Sequence, residues 1–214
     1  MTQVVHAGRD RVSRRVDKFG ERRAELAAAA LQTLSELGYA RTSLREIAQN
    51  SEFSHGVLHY YFSDKNELII ECVRQYKAEC VTRYDEIVAT SAEPAELAER
   101  FGAAMAATLR DEARMHRLWY DMRSQALFTE SFRADVRELD HGLEQMIWRM
   151  VLKYAELAGS PPAFSATVAY AVFDGLFQQS LLAHLSGDRT AADELRRNVQ
   201  DVLVGLMLVS PAST

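Results

Sequence analysis

Four prolines in 214 residues, at positions 94, 161, 162 and 211, leave the first 93 residues without one. Proline is the residue a helix interior tolerates least: it removes a backbone donor and clashes with the preceding turn, at about 3 kcal/mol or more. Ten glycines add few further breaks, while 30 alanines and 23 leucines supply strong helix formers. Strand-like alternation does not extend beyond a few residues anywhere in the chain. The expected fold class is therefore all-α, and sandwiches, barrels, collagen-like repeats and disulfide scaffolds are disfavoured. With 48% hydrophobic and 26% charged residues, the chain has the composition of an ordinary globule of one or two domains.

Two cysteines, Cys72 and Cys80, fall eight residues apart. On one helix they would sit about 12 Å apart along the axis, too far for a disulfide. They read as reduced thiols in a cytoplasmic protein. The N-terminus has no apolar signal core, and no charge-free apolar run is long enough to span a bilayer, so no membrane partner is expected.

The breakers and caps divide the chain into nine expected helices: about Phe19–Leu37, Leu44–Asn50, His55–Tyr61, Lys65–Ala89, Pro94–Arg110, Ala113–Leu127, Glu130–Leu157, Pro161–Leu185 and Ala191–Val209. Ser160 before Pro161 reads as the start of the eighth. That helix carries two apolar stripes, Phe164, Val168, Val172 and Leu176, and Tyr170, Phe173, Phe177 and Leu181. A helix apolar on two faces is covered on both. One face suits its own domain and the other a second copy of the chain. The ninth helix, with Leu195, Val199, Val202, Leu203 and Leu206, repeats the pattern. The two C-terminal helices are thus expected to form the seam of a homodimer; the alternative is a single large core without a partner.

Charge is uneven. Residues 1–23 hold seven Lys or Arg against three Asp or Glu, while the whole chain is net −5. Arg9, Arg11, Arg14, Arg15, Lys18, Arg22 and Arg23 make a basic N-terminal segment on an acidic body. A polyanion, if bound, is met at that end; the alternative is a solvated tail.

Residues 42–67 carry unusually dense helix-start signals. Ser43-Leu44-Arg45-Glu46 is a capping box, Ser54 caps the helix that begins at His55, and Asp64-Lys65-Asn66-Glu67 is a second box. Two short helices joined by a tight turn form a helix-turn-helix, whose second helix enters the major groove by its N-terminal residues. Those residues are His55, Gly56, Val57 and His59. The helix N-termini at Ser43, Ser54 and Lys65 offer N–H groups to phosphate, Tyr60 and Tyr61 offer hydroxyls, and Lys65 adds a charge. Without DNA, the same residues describe a small helical core with aromatic surface residues.

Residues 26–70 resemble the DNA-binding domain of the TetR family of bacterial repressors. The matching run is Gly38-Tyr39, Thr42-Ser43-Leu44, Ile47-Ala48, Phe53-Ser54, Gly56, Leu58, Tyr61-Phe62, Lys65 and Leu68, with Asp174-Gly175-Leu176 near the end. The resemblance implies a homodimer on a palindromic double-stranded operator, released by a small molecule bound in the C-terminal domain. Carried over by position, Arg45, His55, Gly56, Val57 and His59 would face bases. Thr42, Ser43, Ser54, Tyr60, Tyr61 and Lys65 would face phosphates. The sequence departs from the family pattern in three places. Glu52 stands where a turn glycine is usual and would cost on the order of 1 kcal/mol at positive φ. His59 replaces an expected tyrosine. Val57, in a usually polar position, can meet a thymine methyl but cannot hydrogen-bond a base.

Residues 101–185 are rich in aromatics and methionine. A pocket between helices is expected there, with Met105, Trp119, Met122, Arg123, Phe128, Met146, Met150, Tyr154, Tyr170, Phe173, Asp174, Phe177 and Gln178 as candidate lining. Core packing is the competing account of each aromatic. Glu138 and His141 have the Glu-x-x-His spacing of di-iron bundles, but only one such motif occurs. No zinc-protease, phosphate-loop or nucleophile-elbow motif is found, so neither enzyme, metal nor cofactor is expected. The expected organisation is a basic flexible arm over 1–18, a three-helix helix-turn-helix domain over 19–64, and a ligand-binding and dimerisation domain over 65–214. The function expected is a repressor released by a small apolar or amphipathic effector. The alternative is a helical dimeric module without regulatory DNA binding.

Overall fold

The computed structural model describes residues 3–38 and 42–205, with side chains from residue 18 onward except Leu37. Tyr39, Leu206 and the basic side chains at 9, 11, 14 and 15 lie outside the described residues. Nine α-helices and no strand occur among those described: α1 (Gln3–Leu37), α2 (Leu44–Gln49), α3 (His55–Tyr61), α4 (Lys65–Thr90), α5 (Pro94–Asp111), α6 (Ala113–Ala126), α7 (Arg133–Ala158), α8 (Ala166–Leu185) and α9 (Ala191–Gly205). A 3₁₀ turn over Glu130–Phe132 precedes α7.

Two expectations change. The backbone is helical through residues 3–18, where a flexible arm was expected, because no proline interrupts that stretch and α1 extends through it. The eighth helix begins at Ala166, not at Pro161, and its N-cap is Ser165 in extended conformation. Each of the two consecutive prolines disfavours helical backbone in the residue before it. Ser160 and Pro161 are both such residues, so the helix starts only beyond the pair.

The chain divides into two compact units, residues 1–75 and 76–214, and the division falls within α4. The expected boundary at 64/65 placed α4 entirely in the C-terminal domain.

In the first unit, Leu26, Ala30 and Leu34 of α1, Ile47 of α2, Leu58 of α3 and Leu68 of α4 are fully buried together with Phe62. Arg23 binds this unit from the edge. It donates to the Tyr61 carbonyl at 2.9 Å and to Glu67 at 2.6 Å, and its guanidinium lies 4.6 Å from the Phe62 ring centre. Two of the arginines counted in the basic segment therefore have internal work, since Arg22 also covers the Phe53 ring at 5.0 Å.

In the second unit, α9 packs on α5 and α8, and α7 packs on α8. Gly102 permits the α5–α9 approach: a Cβ there would come within 2.8 Å of the Arg196 carbonyl oxygen. Phe101, Trp119, Phe132 and Phe173 are fully buried at the centre.

Candidate nucleic-acid interface and ligand cavity

The helix-turn-helix is built by its caps. Ser43 Oγ accepts from the Glu46 N–H at 3.2 Å, and Glu46 Oε2 accepts from the Ser43 N–H at 2.7 Å, closing the box that starts α2. Ser54 Oγ accepts from the Val57 N–H at 3.3 Å and starts α3. Asp64 Oδ1 caps α4 by accepting from the Asn66 and Glu67 N–H groups at 2.7 and 3.0 Å. Glu67 turns instead to the Ser63 N–H at 2.8 Å and to Arg23. Burial works against the Glu67 carboxylate, but Ser63 and Arg23 outweigh it and hold its carboxyl below the usual range.

The turn is not strained. Among the described residues only Gly38, Gly159 and Gly187 have positive φ. Glu52 therefore occupies ordinary backbone, and the expected cost at that position is absent. The Phe53 N–H donates to Ser51 Oγ at 3.3 Å, and Asn50 ends α2 by donating its N–H to the Glu46 and Ile47 carbonyls. The turn closes through these bonds without the left-handed residue that a glycine would supply.

Leu58 is the buried anchor of α3, and His55, Gly56, His59 and Tyr60 are exposed around it, with Val57 and Tyr61 half-buried. The His55 and His59 rings meet edge to face at 4.4 Å. Tyr61 packs on Phe19 at 4.7 Å and on Tyr60 at 5.0 Å. A Cβ on Gly56 would meet nothing within 4 Å, so internal packing does not require glycine there. Arg45, Ser43 and Ser54 are exposed and Lys65 is half-buried. Thr42 departs from the expected phosphate-facing set. It is only 3% exposed, and its hydroxyl donates to the Gly38 carbonyl at 2.6 Å. Its side chain serves the end of α1.

The second unit contains a cavity of about 60 Å³. Of the expected lining, Met105, Trp119, Met146, Tyr170, Phe173, Asp174 and Phe177 reach it. Met122, Met150 and Tyr154 are buried in the core away from it, and Phe128 is 86% exposed, because α6 ends at Ala126 before reaching it. The sequence reading missed Lys77, Cys80 and Tyr84 of α4, together with Phe101, Thr108, His116, Tyr120, Leu143 and Ile147. One signal was available: Val73, Lys77, Cys80 and Tyr84 recur at helical spacing and place a lysine on a buried face.

Arg123 and Asp174 bind one another. Arg123 donates to Asp174 at 2.6 Å and lies 3.5 Å from Asp140, while the Tyr120 hydroxyl donates to Asp174 at 2.9 Å and the Tyr170 hydroxyl to Asp140 at 2.6 Å. Burial, reinforced by these carboxylates, pushes both tyrosine hydroxyls up, so both remain protonated donors. Beyond this network opens a polar cleft of about 810 Å³ that Arg123, Glu138, His141 and Gln178 also line. Tyr170 and Asp174 border both spaces.

Lys77 is buried. Its ammonium lies 3.4 Å from His116 Nδ1 and over two rings, 5.5 Å from the centre of Tyr76 and 5.3 Å from that of Trp119. Burial brings Lys77 down to about 8. Burial, and then the Lys77 charge, keep His116 neutral. Cys80, Glu112 and His116 offer atoms within 4.8 Å of one another, the one such metal-like grouping among the described residues. Its surroundings oppose a cation. Arg83 already binds Glu112 at 2.7 Å, Lys77 faces His116, and burial pushes the Cys80 thiol up.

The first unit thus carries a capped helix-turn-helix, and the second is all-helical with an internal cavity. Residues 26–72 match the family model described as bacterial regulatory proteins, tetR family. The regulator BetI of Burkholderia thailandensis is 29% identical over 192 residues, spanning 86% of this chain and 93% of its own. The repressor KstR2 of Mycobacterium tuberculosis is 33% identical over 87 residues, spanning 41% of this chain and 42% of its own. Among solved structures, a putative regulator from Saccharomonospora viridis in complex with choline superposes at TM-score 0.71 and 19% identity, covering 89% of this chain and all of its own. FadR of Bacillus subtilis in complex with stearoyl-CoA gives 0.69 at 15% identity, covering 84% and 96%. Residues 26–72 thus carry the N-terminal domain of the tetR family, and the relatives and neighbours named are transcriptional regulators, not enzymes. No helix among the described residues is long and apolar enough to cross a membrane.

Proposed function

We propose that the chain is a ligand-responsive repressor that binds a palindromic operator as a homodimer and leaves it when a small apolar or amphipathic molecule occupies the C-terminal cavity. The observation that carries this reading is the exposed N-terminal face of α3. His55, Gly56 and His59 stand open around buried Leu58, on a helix fixed by the Ser54 cap. At Gly56 no internal contact fills the space a side chain would take, which suits close approach by a duplex. Arg45, His55, Gly56, Val57 and His59 are assigned to bases, and Ser43, Ser54, Tyr60, Tyr61 and Lys65 to phosphates. Thr42, with its hydroxyl spent internally, is assigned to the fold.

The dimer is assigned to α8 and α9. On α8, Phe173, Phe177 and Leu181 are buried, whereas Val168, Leu182 and Leu185 are exposed, and Val204 of α9 is exposed as well. An apolar face left open on two adjacent helices suits a symmetric four-helix seam. Because α4 contributes residues to both units, including Lys77 and Cys80 of the cavity, it is the helix through which occupancy would reach DNA binding.

The test is selection of binding sites from fragmented genomic DNA by the purified chain at fixed salt. An enriched palindrome is expected. On that site, Lys65→Ala should weaken binding to all sequences and lower the salt slope by about one, while Arg45→Ala or His55→Ala should change the preferred base. Weak, salt-sensitive binding without enrichment would favour the alternative of a helical module that does not read DNA. A Lys65→Ala variant altered in base choice alone would overturn the division of roles.

A further inference from the structure

We infer that the cavity of the C-terminal unit receives a compact, largely apolar organic carboxylate, whose oxygens are held by Lys77, His116 and Trp119. This deepens the effector reading above and rests on it for the ligand's regulatory meaning, but not for its chemistry.

The inventory of donors and acceptors around the cavity does not balance. Trp119 is about 1% exposed, and its indole N–H, which can only donate, has no hydrogen-bond partner. His116 is buried and neutral, and its Nδ1 faces the Lys77 ammonium at 3.4 Å. A neutral imidazole that accepts at Nδ1 carries its proton on Nε2, and Nε2 also lacks a partner. Lys77 makes no ion pair among the described residues. Two carboxylates are near enough to act on its charge, but Glu112 is taken by Arg83 and Tyr76, and Asp174 by Arg123 and Tyr120. Two buried N–H groups, on Trp119 and His116, therefore line one cavity with no acceptor, beside an ammonium whose one acceptor is a neutral imidazole nitrogen. Buried polar groups are ordinarily paired, so the missing partner is an acceptor, and next to an ammonium the strongest acceptor is an anionic oxygen. The rest of the wall, with Phe101, Met105, Phe173 and Phe177, asks for an apolar body.

The same inventory argues against a quaternary ammonium such as choline, which occupies a structural neighbour. Such a cation would sit against Lys77, which already lies over the Trp119 ring, and its methyl groups would satisfy neither N–H.

The experiment uses the full chain carrying Trp148→Phe, so that Trp119 is the remaining indole. Straight-chain carboxylates from acetate to decanoate, benzoate and cyclohexanecarboxylate are compared with their primary amides and with matched trimethylammonium compounds, by calorimetry and indole emission. At least one carboxylate is expected to bind about tenfold or more tightly than its amide and to shift the emission. Lys77→Met should remove that preference. Trp119→Phe, which keeps the ring and loses the N–H, should weaken the carboxylate several-fold, read by calorimetry, in a chain whose helical signal is unchanged. The inference is overturned if no carboxylate in the series binds, if amides bind equally well, if the trimethylammonium compounds bind instead, or if folded Lys77→Met retains the preference. Failure of the effector reading looks different: a carboxylate binds through Lys77, yet affinity for the selected DNA site does not change.

Discussion

Below pH 8 the Lys77 ammonium is charged in the folded and the unfolded chain alike, and the folded chain bears the cost of hiding it. Moving a lysine from its ordinary value near 10.5 down to about 8 corresponds to on the order of 3 kcal/mol of lost stability at neutral pH. The groups that set this are the burial itself, then Cys80, Asp174, Glu112 and Arg123. Between pH 8 and 10.5 the unfolded chain binds the proton that the folded chain has released, so this contribution to stability rises with pH. Lys77→Met is therefore expected to be more stable than wild type at pH 7, with the gap closing towards pH 10.5. Urea melts of both proteins across that range check it, and a gap that widened with pH would reverse the sign. Glu52 offers a second test at this scale. Since its φ is negative, Glu52→Gly has no strain to relieve and adds only backbone freedom, for an expected loss of about 0.5–1 kcal/mol in the same assay. Stabilisation by that change would show a strained turn after all.

Among the helices, α5 approaches α9 too closely at Gly102 for a side chain to fit. A side chain there must displace the α9 backbone at Arg196, because the clash is with a carbonyl oxygen and not with a flexible tip. Gly102→Leu should cost about 1–3 kcal/mol in urea unfolding, whereas Gly142→Leu, where nothing lies within 4 Å, should cost far less. How much of each element the sequence revealed follows from how local its cause is. The α2 and α3 starts were legible because Ser43, Glu46 and Ser54 act within three residues of themselves. The start of α8 was misread because Ser160-Pro161 looks like a cap and N1 pair until the second proline is weighed. Half of the cavity was legible, because aromatic density on α6 to α8 shows in the sequence. The rest comes from α4 to α7, and Lys77 of α4 makes sense only once Tyr76, His116 and Trp119 close around it. Thr42 was misassigned for a similar reason: its bond to the Gly38 carbonyl depends on how the chain leaves α1.

At the scale of the whole molecule, the proposed dimer makes DNA reading depend on a surface remote in sequence from the helix-turn-helix. Leu182 is 70% exposed on α8 and touches little within its own chain. Leu182→Glu should leave the thermal melt of the single chain nearly unchanged while shifting sedimentation from dimer to monomer and weakening operator binding. An unaltered sedimentation coefficient would remove α8 from the seam.

The wall between the cavity and the polar cleft has a consequence for time. Tyr170 and Asp174 border both spaces, and they are tied through Arg123, Tyr120 and Asp140 by bonds of 2.6–3.5 Å. On the effector reading proposed above, a molecule that enters from the cleft side must first break those bonds. By that route arrival would wait on their rupture and departure would wait on it again, so occupancy would lag behind concentration in both directions. A regulator that worked this way would average its signal: brief pulses of effector would pass unread, and a sustained supply would be remembered for a while after it ended.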